Sequence, residues 1–204
     1  LNDLVRSFKK SYGDIYNVPF TGQVFDFGSP NGYIDTKWSI NRDNNVSTIL
    51  FRGSMPNEAV QTTMWTILGN ASSGCIVPVW PIGNLPYVLT GELGSQAPME
   101  EVNYQIKERL YSWEEVSGNG TSREEDFIDS YQLKYDESSG LWPEYILPLE
   151  SIVINDVLNM IDAWNDSQGS DIISDILQYQ QLTANFVYNQ MTQIPVDKPP
   201  VTCS

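Results

Sequence analysis

The feature that most constrains this chain is a pair of runs near its centre, Val46 to Arg52 and Val60 to Leu68, within a stretch from Ile40 to Trp80. Both runs are rich in β-branched and aromatic residues. Gly53, Pro56 and Asn57 between them supply turn chemistry, so the pair predicts neighbouring strands joined by a turn. In the second run Met64 and Leu68 alternate with Trp65 and Ile67, which puts apolar side chains on both faces. Such a strand belongs inside a layered structure, because a sheet with one wet face would carry polar residues at every second position. Gly69 to Gly74 breaks the pattern and Cys75 to Trp80 resumes it. Pro78 has no amide hydrogen for a ladder, so this third run predicts an edge strand or an extended loop.

The flanking segments read as follows. Leu1 to Gly13 predicts a short amphipathic helix, and Asp14 to Gly32 a structured loop with a short strand at Gln23 to Phe27. Tyr33 to Ile40 is a further strand. After an irregular connection through Pro81, Gly83 and Pro86, residues Pro98 to Trp113 carry Met99, Val102, Ile106, Leu110 and Trp113 at helical spacing. Ser122 with Glu125 reads as the start of a helix whose inner side is Phe127, Ile128, Tyr131 and either Leu133 or Tyr135. Asp136 to Pro143 reads as a loop bearing Trp142. Two closing helices, about Glu150 to Asn165 and Ser170 to Met191, predict an antiparallel pair, with Gly169 and Ser170 as stop and cap. The expected architecture is α+β: a mainly antiparallel sheet covered by helices, in one domain over residues 1–194, followed by an extended Pro-rich tail over 195–204.

Composition excludes several functions. The 204 residues carry 26 acidic and 11 basic side chains, a formal charge of −15, so nucleic acid is not an expected partner. No apolar run is long enough for a membrane span. There is no histidine, which removes Ser-His-Asp and Cys-His relays, histidine zinc sites and imidazole bases together. The two cysteines, Cys75 and Cys203, are read either as a disulfide or as two separate thiols. The acidic clusters at Glu124 to Asp126, at Asp136 and Glu137, and from Asp166 to Asp171 lack the spacing of a calcium loop, and neither metal nor cofactor is expected. Four Asn-x-Ser/Thr triplets, at Asn45, Asn70, Asn119 and Asn165, and a chain that begins at Leu1 with a charged segment, suggest a secreted or periplasmic product excised from a longer one.

Arg42 in a polar loop, the strand Ser47 to Gly53, then Thr62 to Gly69, Val77 to Trp80 and Leu85-Pro86 together resemble the C-terminal half of the N-terminal-nucleophile (Ntn) amide hydrolases. Within them the likeness is to the group related to acyl-coenzyme A:6-aminopenicillanic-acid acyltransferase and its secreted bacterial homologues. It is specific over residues 42–86 and loose over 1–113. The resemblance implies a four-layer αββα sandwich of which this chain is the C-terminal part. It also implies a chain-terminal Cys that attacks an amide carbonyl with its own α-amine as base, chemistry that needs no histidine. Position 1 here is Leu1, so the resemblance places the nucleophile upstream, with a companion chain carrying the N-terminal Cys as an expected partner and a small-molecule amide or acyl donor as the expected substrate.

Arg42 is the one catalytic residue carried over from this resemblance, placed beside the nucleophile to orient a substrate carboxylate or the thiolate. A solvated turn arginine paired with Asp43 is the alternative. Arg52, at a strand end, reads as a rim charge. The Gly74-Cys75 dipeptide matches the site at which such precursors cut themselves, but cutting there would remove the central strand pair, so Cys75 reads as a small buried hydrophobe. The expected function is thus part of a secreted amide (C–N) hydrolase or acyltransferase. The competing one is a secreted carbohydrate- or ligand-binding module without catalysis, with Trp38, Trp80, Trp113 and Trp142 as stacking platforms.

Overall fold

A computed structural model of the chain describes residues 33–36, 44–53, 62–111, 127–133, 138–166 and 172–197. The expected N-terminal helix, the loop after it, Ser122, Gly169, Ser170 and Cys203 lie outside these residues. The described part is a mixed α and β structure.

The described residues before Trp80 form four strands. They are β1 (Tyr33–Asp35), β2 (Ser47–Arg52), β3 (Thr63–Leu68) and β4 (Val77–Val79). The last three make an antiparallel sheet in the order β2-β3-β4, with Leu50 opposite Trp65 and Trp65 opposite Pro78. Pro78 therefore sits at the sheet's margin among the described residues, as its missing amide hydrogen requires. Register puts Leu50, Trp65, Ile67 and Pro78 on one face and Ile49, Phe51, Met64, Leu68, Val77 and Val79 on the other. The first face is core: Trp65 is 1% exposed. On the second face burial fades across the sheet. Val77 and Val79 are buried, Met64 and Leu68 half-buried, while Ile49 is 44% and Phe51 69% exposed. The expectation of two covered faces thus holds at β3 and β4 and fails at β2. The fourfold layering implied by the resemblance is not among the described elements.

Helix α1 (Tyr87–Thr90) interrupts what reads in the sequence as an irregular connection. Helix α2 (Pro98–Leu110) starts on Pro98, whose missing N–H costs nothing in a first turn, with Glu100 and Glu101 at its positive end and Lys107 and Arg109 at its negative one. Phe127–Asp129 is not helical, as the capping pattern suggests, but a strand, β5, pairing with β1 (Ile34 opposite Ile128). Pairing with a segment over 90 positions away overrides local helix signals. Only Ser130–Leu133 forms a helix, α3, capped by Asp129 Oδ1, which accepts the Gln132 N–H at 3.1 Å.

The expected Trp142 loop is also helical. Trp142–Ile146 forms a π-helical turn, with the Leu147 N–H given to Trp142 O, and runs straight into α4 (Leu147–Asp166). Pro148 has no N–H, and its ring would press on the carbonyl four residues back; a widened turn before it makes room. Glu144 reaches back to the Gly140 N–H at 2.7 Å and closes the helix start. Helix α5 (Ile172–Met191) buries Ile176, Ala184, Val187 and Met191 as expected, but Ile173 points to solvent and Gln180 and Thr183 do not. The tail is tethered at its start, since Ile194 is buried and Pro195 O accepts from Arg109 Nη1 at 2.8 Å. Among the described residues no helix is long and apolar enough to cross a membrane.

Helices α4 and α5 meet the end of β4 in a mutual edge-to-face group of Trp80, Trp164 and Tyr179, with ring centroids 5.6 to 5.9 Å apart. The Tyr179 hydroxyl donates to Asp156 Oδ2 at 2.7 Å, joining the two helices. Burial first, and this hydrogen bond second, push the Tyr179 phenol well above its ordinary value near 10. Above about pH 10 the unfolded chain gives up a proton that the folded protein keeps. The contribution is therefore complete below that pH and declines as pH rises further. Denaturant melts from pH 8 to 11 should show wild-type stability falling more steeply above pH 10 than that of Tyr179→Phe.

Candidate functional site

Arg42, the residue singled out by resemblance, lies outside the described residues, as do Trp38 and Trp113. Arg52 is half-buried at the end of β2, and its Nη1 has no hydrogen-bond partner. Trp80 and Trp142 are both buried, so neither offers a stacking face to a sugar ring. What the fold does gather is a dense polar constellation around the segment Gly69 to Ile76, where β3 turns over the sheet end toward β4.

The turn is built on Asn70. Its Oδ1 accepts the Ser72 N–H at 2.8 Å, an Asx turn, and its carbonyl takes the Gly74 N–H at 3.0 Å. Its Nδ2 donates to the Tyr111 hydroxyl at 3.1 Å. From α2, Asn103 enters the same space. Its Nδ2 donates to Leu68 O and to Asn70 O, the latter at 3.1 Å, while its Oδ1 accepts from Ser73 Oγ. Both N–H donors and the carbonyl oxygen of that amide are engaged, as suits a fully buried asparagine. Trp142 Nε1 donates to Ser72 O at 2.8 Å, and the buried Glu150 accepts the Ile76 N–H at 3.1 Å.

Two glycines make the approach possible. Gly69 has φ +85°, a conformation that side chains resist, and a Cβ there would lie 2.6 Å from Asn103 Nδ2. A Cβ on Gly74 would overlap both Asn103 Nδ2 and Ile67 Cγ2.

The constellation contains hydroxyls, a thiol and a carboxylate, yet its geometry does not make a catalytic relay. The Ser73 hydroxyl is given to an amide oxygen, which is not a base. The Cys75 side chain is 2% exposed, and its thiol faces Ile76 O at 3.7 Å. Glu150 is occupied by a backbone amide, and Ser72 Oγ is sealed in without a partner among the described residues. Every one of these groups is cut off from solvent, so no substrate can reach them as they stand. They act as a brace that fixes the sheet end to α2 and to the start of α4. Among the described residues no three His, Cys, Asp or Glu side chains are grouped so as to hold a metal ion.

Sequence reading missed Asn103, Tyr111 and Gln180 as structural polar residues. One signal was available: Asn103 lies four residues after Met99 and three before Ile106, inside the apolar stripe of α2.

Gly74→Ala should destabilise the fold by about 1–3 kcal/mol through overpacking, while Gly53→Ala, with open space around it, should stay within about 0.5 kcal/mol of wild type. Glu150→Gln keeps an acceptor for the Ile76 N–H and should cost less than Glu150→Ala, which strands that amide for about 1–3 kcal/mol. Urea titration of the four variants checks both statements.

Comparison with known proteins returned no match: no family model, no curated protein and no solved structure is significantly similar to the chain.

Proposed function

We propose that this chain supplies the helix-backed sheet of a secreted enzyme acting on C–N bonds, an amide hydrolase or acyltransferase whose cysteine nucleophile comes from a companion segment. The observation that carries the reading is the uneven second face of the sheet. Ile49 and Phe51 stand exposed on one side of β2, flanked across the ladder by half-buried Met64 and Leu68, while the same face is buried at Val77 and Val79. A strip of this kind is what a second sheet would cover in a sandwich. The absence of histidine from all 204 residues and the sealed Cys75 thiol favour a nucleophile of the α-amine-assisted kind over one from this sheet. Arg42, just before β2, would then be the cation facing a substrate carboxylate or the thiolate.

The test uses a panel of chromogenic N-acyl amides. The purified chain alone should be inactive, and co-expression with its companion segment should produce turnover that thiol alkylation abolishes and Cys75→Ser leaves intact. Phe51→Glu should leave the chain alone within about 0.5 kcal/mol of wild type, because that side chain already faces water, yet abolish turnover of the assembled product. Turnover by the isolated chain, or its loss in Cys75→Ser of the assembled product, would overturn the reading.

A further inference from the structure

Arg52 reads in the sequence as a charge on the sheet's rim, and the structure puts it elsewhere. In the register of β2 and β3, Arg52 lies opposite Thr63 and Leu50 opposite Trp65, so these four side chains share the core face of the sheet. Arg52 and Trp65 are diagonal neighbours on that face, a spacing that a long side chain and an indole can span. Each holds a hydrogen-bond donor that is shut off from water and has no partner among the described residues: Nη1 of Arg52 and Nε1 of Trp65. Trp65 is 1% exposed and Thr63 is buried, whereas Arg52 is only half-buried and Gly53 after it is exposed. This corner of the face is thus closed at Trp65 and reached by solvent at the strand end. A donor on a cation is costlier to bury unpaired than a neutral one. Trp80 Nε1 also has no partner, but that donor is neutral and its neighbours are the rings of Trp164 and Tyr179.

We propose that Arg52 and Trp65 form a binding site for the carboxylate of a small monocarboxylic acid, the guanidinium holding one oxygen and the indole N–H the other. The donor set selects this class. One cation balances one negative charge, and two donors match two carboxylate oxygens, whereas a phosphate dianion would leave both charge and oxygens over. Leu50 and Pro78 flank Trp65 on the same face and give the hydrocarbon part of the acid an apolar wall. A carboxylate from a protein layer suits the site less well, because Ile49 and Phe51, where such a layer would sit, belong to the opposite face. The site uses residues of this chain alone and needs no turnover, so it stands apart from the amide-hydrolase reading.

The test titrates the full chain, isotope-labelled at tryptophan, with sodium hexanoate, with the uncharged hexanamide and with inorganic phosphate. Binding is followed by the indole N–H signals and by the urea midpoint. Hexanoate should shift saturably the signal that Trp65→Phe removes and should raise the midpoint, while hexanamide and phosphate do neither. Arg52→Met keeps the aliphatic stem and should abolish both effects. Its ligand-free midpoint should equal or exceed that of wild type, because a cation without a partner has been removed. Arg52→Lys, which keeps the charge and loses the planar fork, and Trp65→Phe, which loses the N–H, should each weaken hexanoate binding about tenfold or more. Trp65→Phe opens space in the core whatever the role of the N–H, so binding alone judges that variant. A wild-type chain indifferent to hexanoate, an equal response to hexanamide or phosphate, or unchanged hexanoate binding in Arg52→Met and Arg52→Lys overturns the proposal.

Discussion

The amide of Asn103 is the interaction on which the rest of the structure depends. It leaves the apolar stripe of α2, crosses to the end of β3 and hydrogen-bonds Leu68 O, Asn70 O and Ser73 Oγ. Leaving a buried donor or acceptor without any partner costs about 1–3 kcal/mol, so this arrangement tolerates few alternatives. It dictates glycine at 69 and 74, the only residue that lets the backbone come this close. It also fixes how α2 lies on the sheet, because sliding the helix by one turn would take the amide away from Leu68 O, Asn70 O and the Ser73 hydroxyl together.

The same device recurs. Trp142 at the start of α4 reaches Ser72 O, Glu150 one turn into that helix reaches the Ile76 N–H, and Gln180 of α5 accepts the Trp80 N–H at 2.7 Å. Arg109 at the end of α2 spans Gln132 Oε1 and Pro195 O, pinning α3 and the exit from α5. The three long helices α2, α4 and α5 therefore dock with an apolar stripe that supplies energy and with one or two polar side chains that supply position. The backbone groups satisfied in this way lie just beyond the regular ladder, where no strand partner exists and a buried N–H or C=O would otherwise go unpaired. Apolar stripes alone would allow the helices to rotate or slide over the sheet with small loss, as volume-conserving repacking shows.

This division explains what the sequence made readable. Period-two and period-three-to-four patterns marked β2, β3, α2, α4 and α5 close to their true bounds, because those patterns are a direct imprint of burial. The polar pins were unreadable, since an Asn or Gln on a helix is far more often a solvated residue, and nothing local says where Leu68 O or Trp80 N will be. Two elements were misread for related reasons. Phe127–Asp129 obeys a partner at Tyr33–Asp35 rather than its own helix signals, and the start of α4 passes through Pro143 and Pro148 by widening a turn. Of the candidate site, Arg42 came from likeness alone, whereas the brace came from geometry alone. The two approaches pointed to different parts of the chain.

The unequal burial of the sheet bears most directly on function. Isolated exposed hydrophobic residues are ordinary on any surface, but Ile49 and Phe51 are successive residues of one strand face, adjacent to Met64 on the next. Covering such a side chain fully is worth about 1.5–3 kcal/mol, so a layer over this end of the sheet would gain a few kcal/mol from these residues alone. That is a large fraction of the roughly 5–15 kcal/mol by which a domain is stable. The brace and the strip lie at different parts of the same three strands. The brace completes the β3–β4 end internally, with the Asn70, Asn103 and Glu150 side chains hydrogen-bonded and the thiol sealed, so chemistry has no entry there. The β2 end is the part of the sheet whose second face is exposed, and Arg42 precedes β2 in the chain. If this protein carries a reactive centre of the proposed kind, physical economy puts it where the packing is still open rather than where it is already closed.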